Sequence, residues 1–221
     1  MDIYLIAFLI IILGLIIGHL INLYIRHLPR EKNLSKLQPW LIEVLSISTA
    51  ALSYYTFESI ITAILIFVMS ATLIAITFID LEFKIIPDKI NFPGIIIGLI
   101  LGLISSYCYK LDPPLTQSIY DSLLGLAIGL GIPFIFVYLY FLITKKIGFG
   151  MGDIKLLGLF GTWFGWQATL AIFFLSSIFG SIFGIIFMFA TKQNRKTEIS
   201  FGPWLALAAI VYMFRLIELI V

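Results

Sequence analysis

Charge is what this chain has least of. Asp, Glu, Lys and Arg make up 12% of its 221 residues, against 61% hydrophobic residues. Mean hydropathy is +1.11. A water-soluble domain of that makeup would expose more apolar surface than soluble proteins carry, so a soluble globular class is excluded. Cysteine is almost absent: Cys108 alone allows neither an internal disulfide nor a zinc site built from cysteines. His19 and His27 are the only histidines, too few for a metal cluster. The start, Met1-Asp2-Ile3, lacks a basic segment, and no small-residue cleavage site follows the first apolar run. That run is therefore expected to be a retained span and not a removed signal peptide. Internal repeats, low-complexity tracts and linkers between domains are lacking too. One membrane domain over residues 1–221 is expected, with no nucleic-acid partner.

What fills the chain is apolar runs. A bilayer core needs about 20 apolar residues per helix. Eight candidate helices follow: Ile3 to Ile25, Pro39 to Phe57, Ser59 to Ile79, Ile90 to Tyr109, Ser118 to Thr144, Ile154 to Trp166, Ala168 to Thr191 and Phe201 to Val221. The sixth is short for a full span. The fold expected is all-α, a polytopic transmembrane bundle of about eight helices. Lys and Arg set its orientation. Arg26, Arg30, Lys32, Lys36, Lys84, Lys89, Lys145, Lys146, Lys155, Lys192, Arg195 and Lys196 all fall on one side, leaving only Lys110 and Arg215 elsewhere. That face is expected to be cytoplasmic, with both termini outside.

Against this background two carboxylates stand out. Asp80 ends the third apolar run, and Asp153 begins the sixth after Gly148, Gly150 and Gly152. Acids at the edge of hydrocarbon are expensive and tend to be kept for function. The alternating glycines let the backbone approach a neighbour closely. Asp153 then sits at or beside an N-cap, where backbone N–H groups and the helix dipole favour its ionised form. Asp80, at a helix C-terminus, has the opposite environment. Two such acids on one face could share a proton and activate a water, as in aspartic proteases. Each alone has an ordinary reading: an N-cap, and a helix-end residue reaching into water.

Other polar residues have plainer readings. Asp88, after Pro87, reads as the N-cap of the fourth helix, and Pro87-Asp88 and Pro93-Gly94 bracket that helix's start. Glu82 and Lys84 read as solvated loop residues. Lys155 reads as a partner for a carboxylate or for lipid phosphate. His19 and Asn22, on one face of the first helix, read as interhelical glue. Glu43 reads as paired with a basic loop residue, or as touching substrate. Glu58 and Asp121 read as interfacial. Arg215 and Glu218 read as a helical pair, and Gly180 with Gly184 as a close-packing face.

The chain resembles the prepilin peptidases, the type IV leader peptidase family of membrane aspartic proteases. Gly18-His19-Leu20-Ile21-Asn22, followed by Arg26-His27-Leu28-Pro29, resembles the family's first-helix signature, with His19 where Ser is usual. Pro39-Trp40-Leu41-Ile42-Glu43 resembles its Pro-x-x-Glu. Asp80 through Ile86-Pro87-Asp88, Gly150-Met151-Gly152-Asp153-Ile154-Lys155-Leu156 and Phe201-Gly202-Pro203-Trp204-Leu205-Ala206 resemble three further family segments in order. The resemblance implies that Asp80 and Asp153 are the catalytic pair. It makes Gly150, Gly152, Lys155, Pro87, Asp88, Asn22 and Glu43 supporting or substrate-proximal residues. It implies removal of a basic leader from prepilins or pseudopilins, after a glycine, at the cytoplasmic face of a bacterial inner membrane, without a metal. Glu31, Glu82, Asp88 and Glu198 are candidates for complementing a basic leader. The chain departs from the family at residues 26–38, a short loop without cysteine where many members carry a zinc-binding insert. Zinc is not expected. S-adenosylmethionine would be used only if the N-methyltransferase activity of bifunctional members is retained.

Two rival readings differ in what they require. Presenilin-like proteases share Gly-x-Gly-Asp but pair it with a Tyr-Asp in mid-helix, whereas Ile79 precedes Asp80 here. A small proton-coupled transporter would show inverted repeats and polar residues near the midplane. Here the acids gather at one face.

Overall fold

The computed structural model describes residues 3–27, 38–145, 150–191 and 200–214. Among these residues the protein is all-helical. The elements are α1 (Ile3–His27), α2 (Gln38–Thr56), α3 (Ile60–Phe83), α4 (Asp88–Tyr107), α5 (Ile119–Thr144), α6 (Met151–Thr191) and α7 (Gly202–Met213). Five of them, α1, α3, α4, α5 and α6, are long and apolar enough to cross a membrane. The short α7 is apolar over twelve residues. The contacts divide the chain into two compact units, residues 1–82 and 83–221.

In the first unit α1 packs on α2. Small residues permit the close approach. A Cβ on Gly14 would meet the Ile47 Cα at 2.6 Å, and one on Gly18 would meet the Glu43 Cα at 2.8 Å. The serines and threonines that make α2 the more polar helix lie largely inside, with Ser46, Thr49 and Ser53 buried. The Thr49 hydroxyl donates back to the Leu45 carbonyl at 3.0 Å. α3 buries most of its length, from Thr62 to Asp80. It runs one turn beyond the expected end at Ile79, so Asp80 lies inside the last turn and not at the terminus.

In the second unit α5 and α6 form the most extensive pairing, and α4 and α7 also lie on α6. Gly125 on α5 and Gly161 on α6 face each other so closely that neither could carry a Cβ. On α4, Gly94, Gly98 and Gly102 recur every fourth residue. A Cβ there would run into Leu159, Thr162 and Ser122 respectively. The Trp163 indole N–H donates to the Gly94 carbonyl at 2.9 Å. The Ser122 hydroxyl donates to the Thr162 carbonyl at 2.9 Å. Gly180 receives the Phe201 ring at 3.1 Å from its would-be Cβ, which fits the packing role expected for it.

Further boundaries can be compared with the sequence reading. α4 starts at Asp88, two residues early, and continues through Pro93. The sixth and seventh candidate segments follow each other in α6 and are divided at Gly165, one residue before the expected boundary at Trp166, where φ of 83° and ψ of 177° are non-helical. Asp121 at the start of α5 holds that break. Its carboxylate lies where a Gly165 side chain would be and accepts the backbone N–H of Trp166. Asp121 therefore has a structural partner inside the bundle, beyond the interfacial placement expected for it. The last candidate helix is described only to Phe214, so the Arg215–Glu218 pair lies outside the described residues.

Candidate active site

The Gly150–Lys155 turn opens α6. The Gly150 carbonyl accepts the Ile154 N–H at 3.4 Å, which makes Gly150 the cap of the helix. Asp153 is the third helical residue. It is thus inside the first turn and not at the N-cap position the glycines suggested. The positive end of the helix extends over the whole first turn and still acts on a carboxylate at this position. The Asp153 carboxylate folds back over Gly150: a Cβ there would stand 2.7 Å from the Asp153 Oδ2.

Three ties bind this turn to the segment Ile86–Asn91, which follows α3 and opens α4. First, Gly152 sits against Ile86, and a Cβ on Gly152 would lie 2.9 Å from the Ile86 Cβ and 3.4 Å from its backbone N and O. Second, the Lys155 ammonium donates to both carboxylate oxygens of Asp88, at 2.6 Å and 2.8 Å. Third, the Asn91 side-chain amide donates to the Gly152 carbonyl at 3.4 Å. Pro87 supplies the cap of α4 with extended backbone, and its carbonyl accepts from Ile90 at 3.0 Å and Asn91 at 3.3 Å. Asp88 is therefore the first residue of α4 and an ion-pair partner. The cap position expected for it belongs to Pro87. Lys155 takes the carboxylate of its two expected partners, and its ammonium also stands 5.2 Å from the centre of the Phe92 ring.

Beside the turn lies an open groove of about 470 Å³. Phe92, Leu130, Phe134, Met151 and Ile154 form apolar walls, and Lys155 is its charged border.

The remaining expected residues belong to the first unit. Asp80 is 5% exposed in the last turn of α3. Asn22 is glue, as read: its amide donates to the Pro39 carbonyl at 3.0 Å and to a Glu43 carboxylate oxygen at 3.4 Å, joining α1 to α2. His19 lies 4.0 Å from the same oxygen. Glu43 thus faces α1 residues, and the loop residues Arg30, Lys32 and Lys36 lie outside the described residues. Gly148, Glu31 and Glu198 lie outside the described residues, as does most of the 26–38 loop. Among the described residues, no group of three or more His, Cys, Asp or Glu side chains is arranged to hold a metal ion.

Sequence reasoning missed Asn91 and the glycine stripe of α4. The stripe has a readable signal, small residues at i, i+4 and i+8. Asn91 has only its polarity in an apolar helix.

The fold and the turn can be set beside known proteins. The chain is 37% identical over 136 residues to a prepilin leader peptidase/N-methyltransferase of Aeromonas salmonicida, covering 62% of this chain and 44% of the relative. A protein of the same name from Xanthomonas campestris is 36% identical over 147 residues, 66% of this chain and 48% of the relative. One from Pseudomonas aeruginosa is 34% identical over 136 residues, 62% and 44% respectively. The matches thus span less than half the length of these relatives. No solved structure matches the chain. The model of the type IV leader peptidase family matches residues 66–185, which contain Asp80, the whole Ile86–Asn91 segment and the Gly150–Lys155 turn. The chain belongs to the type IV leader peptidase family.

Proposed function

We propose that this chain is a membrane-embedded aspartic endopeptidase that removes a basic leader from prepilin-like proteins. It cuts after a glycine at the cytoplasmic face of a bacterial inner membrane, with both termini outside. The observation that carries the reading is Asp153 in the first turn of α6, held by ties from Ile86, Asp88 and Asn91, in a chain of this family. The pairing of Asp153 with Asp80 rests on the family motifs. Two carboxylates in unlike environments divide the work of acid and base. Asp153, at the positive end of α6, takes a proton from the attacking water. Asp80, buried in the negative last turn of α3, gives a proton to the scissile carbonyl. The tetrahedral intermediate collapses as a proton passes to the leaving amine. Catalysis in this scheme comes from positioned proton transfer, worth typically about 10²–10⁴-fold per group.

The relatives' names also carry N-methyltransferase activity. Methyl transfer is left out of the proposal. The test is mass spectrometry of a prepilin incubated with the protein in liposomes. The proposal requires one new N-terminus immediately after the leader's glycine. Cleavage elsewhere in the apolar helix would instead indicate a general intramembrane protease.

A further inference from the structure

Asn91 is fully buried. Its amide donates to the carbonyl of Gly152, the residue before Asp153, while its own side-chain oxygen is buried without a protein partner. A buried acceptor left unpaired is a cost, and an apolar side chain of the same shape would remove it. Space filling alone therefore does not account for an amide at this position. The donated bond does. At 3.4 Å it is long, so its value lies in direction more than in strength. It reaches the one backbone carbonyl directly before the carboxylate, on the side of the turn where Gly152 lies against Ile86.

We propose that Asn91 is a positioning residue: it fixes the first turn of α6 through the Gly152 carbonyl and so sets the place of the Asp153 carboxylate. It touches neither substrate nor the reacting atoms. The inference rests on the proposed role of Asp153, and it deepens that role by assigning the α4 residue that aims it. Charged groups next to the clamp along the chain are Asp88 and Lys89 on α4 and Asp153 and Lys155 on α6, with Asp88 and Lys155 paired with each other.

The test uses the full chain in detergent or liposomes, with Asn91→Leu to delete the donor and Asn91→Asp to keep the shape. Hydrogen–deuterium exchange is followed in a peptide spanning residues 150–157 and in one from the second half of α6. Cleavage of a prepilin is measured in parallel, with Asp153→Asn as control. Both variants should speed exchange in the first peptide and leave the second unchanged. They should lower kcat about tenfold or more, since small misplacements of a reacting group are costly, and leave KM within about twofold. If Asn91→Leu does not fold, Asn91→Asp carries the test. As pH falls and its carboxyl gains a proton to donate, its activity relative to the unsubstituted protein should rise. Unchanged exchange at residues 150–157 overturns the clamp, whatever cleavage shows. A raised KM with unchanged kcat also overturns it, because it would mean substrate contact. Cleavage that survives Asp153→Asn overturns the catalytic reading instead, and exchange still judges the clamp.

Discussion

Replacing Gly152 by Ala adds one methyl group where the structure leaves no space. The new Cβ would stand 2.9 Å from the Ile86 Cβ, whereas carbon atoms rest about 3.5–4.0 Å apart. The turn must retreat by roughly 0.6–1 Å, and the atom it meets is bound directly to the backbone, so no rotamer relieves it. Overpacking of this kind costs about 1–3 kcal/mol. Ala regains roughly 0.5–1 kcal/mol over Gly in a helix. The net loss is up to about 2.5 kcal/mol and centres at about 1 kcal/mol, a fall in Tm of roughly 2–5 °C for a chain of this size. The displacement also moves Asp153, and a shift approaching 1 Å is worth up to about 10²-fold in rate. Differential scanning fluorimetry and prepilin cleavage would read the two effects. Gly131→Ala is the matched control, because no atom lies within 4 Å of its would-be Cβ. It should be neutral or slightly stabilising. Ile86→Ala should not rescue Gly152→Ala, since it retains the offending Cβ. Unchanged Tm and unchanged cleavage in Gly152→Ala, or rescue by Ile86→Ala, would refute the steric reasoning.

Two further predictions concern the second unit. The Asp88–Lys155 pair is partly exposed, 53% and 28% by side chain, so a double-mutant cycle with Asp88→Asn and Lys155→Met should give a coupling below about 1 kcal/mol that shrinks in high salt; a salt-insensitive coupling of several kcal/mol would contradict this. Gly165→Ala places a side chain at a backbone angle L-residues rarely adopt and against the Asp121 carboxylate. It should destabilise by about 1–3 kcal/mol or more. Asp121→Ala, which leaves the Trp166 N–H without its acceptor, should cost about 1–2 kcal/mol. Thermal unfolding in detergent measures both, and loss-free variants would show that the break in α6 does not depend on this contact.

Hydropathy made the helices legible because each apolar run is bounded by charge or by turn residues. It set the boundary between the sixth and seventh segments at Trp166, beside the break at Gly165, but could not show what makes the break, a carboxylate from another helix. Nor could it show that Pro93 is tolerated inside α4. The last turn of α3 was missed because Asp80 and Glu82 look like an exit from the membrane, yet Asp80 is buried. At the site, the glycines and Asp153 were readable as a turn opening a helix. The partners of that turn were not, because Asp88 and Lys155 are 67 positions apart and Asn91 and Gly152 are 61 apart. Spacing along a chain carries no trace of such meetings. The family motif placed Pro87 and Asp88 near the chemistry. In the structure they open the segment tied to the Gly150–Lys155 turn.

The central claim is that Asp80 and Asp153 act together on a prepilin. Single-turnover cleavage of a prepilin should be compared among the unsubstituted protein, Asp80→Asn, Asp153→Asn and the double variant, all with matched unfolding curves. The account predicts that each single substitution abolishes cleavage and that the double variant is no worse than either, because the two carboxylates work as one unit. Cleavage at an undiminished rate by either folded single variant would contradict it.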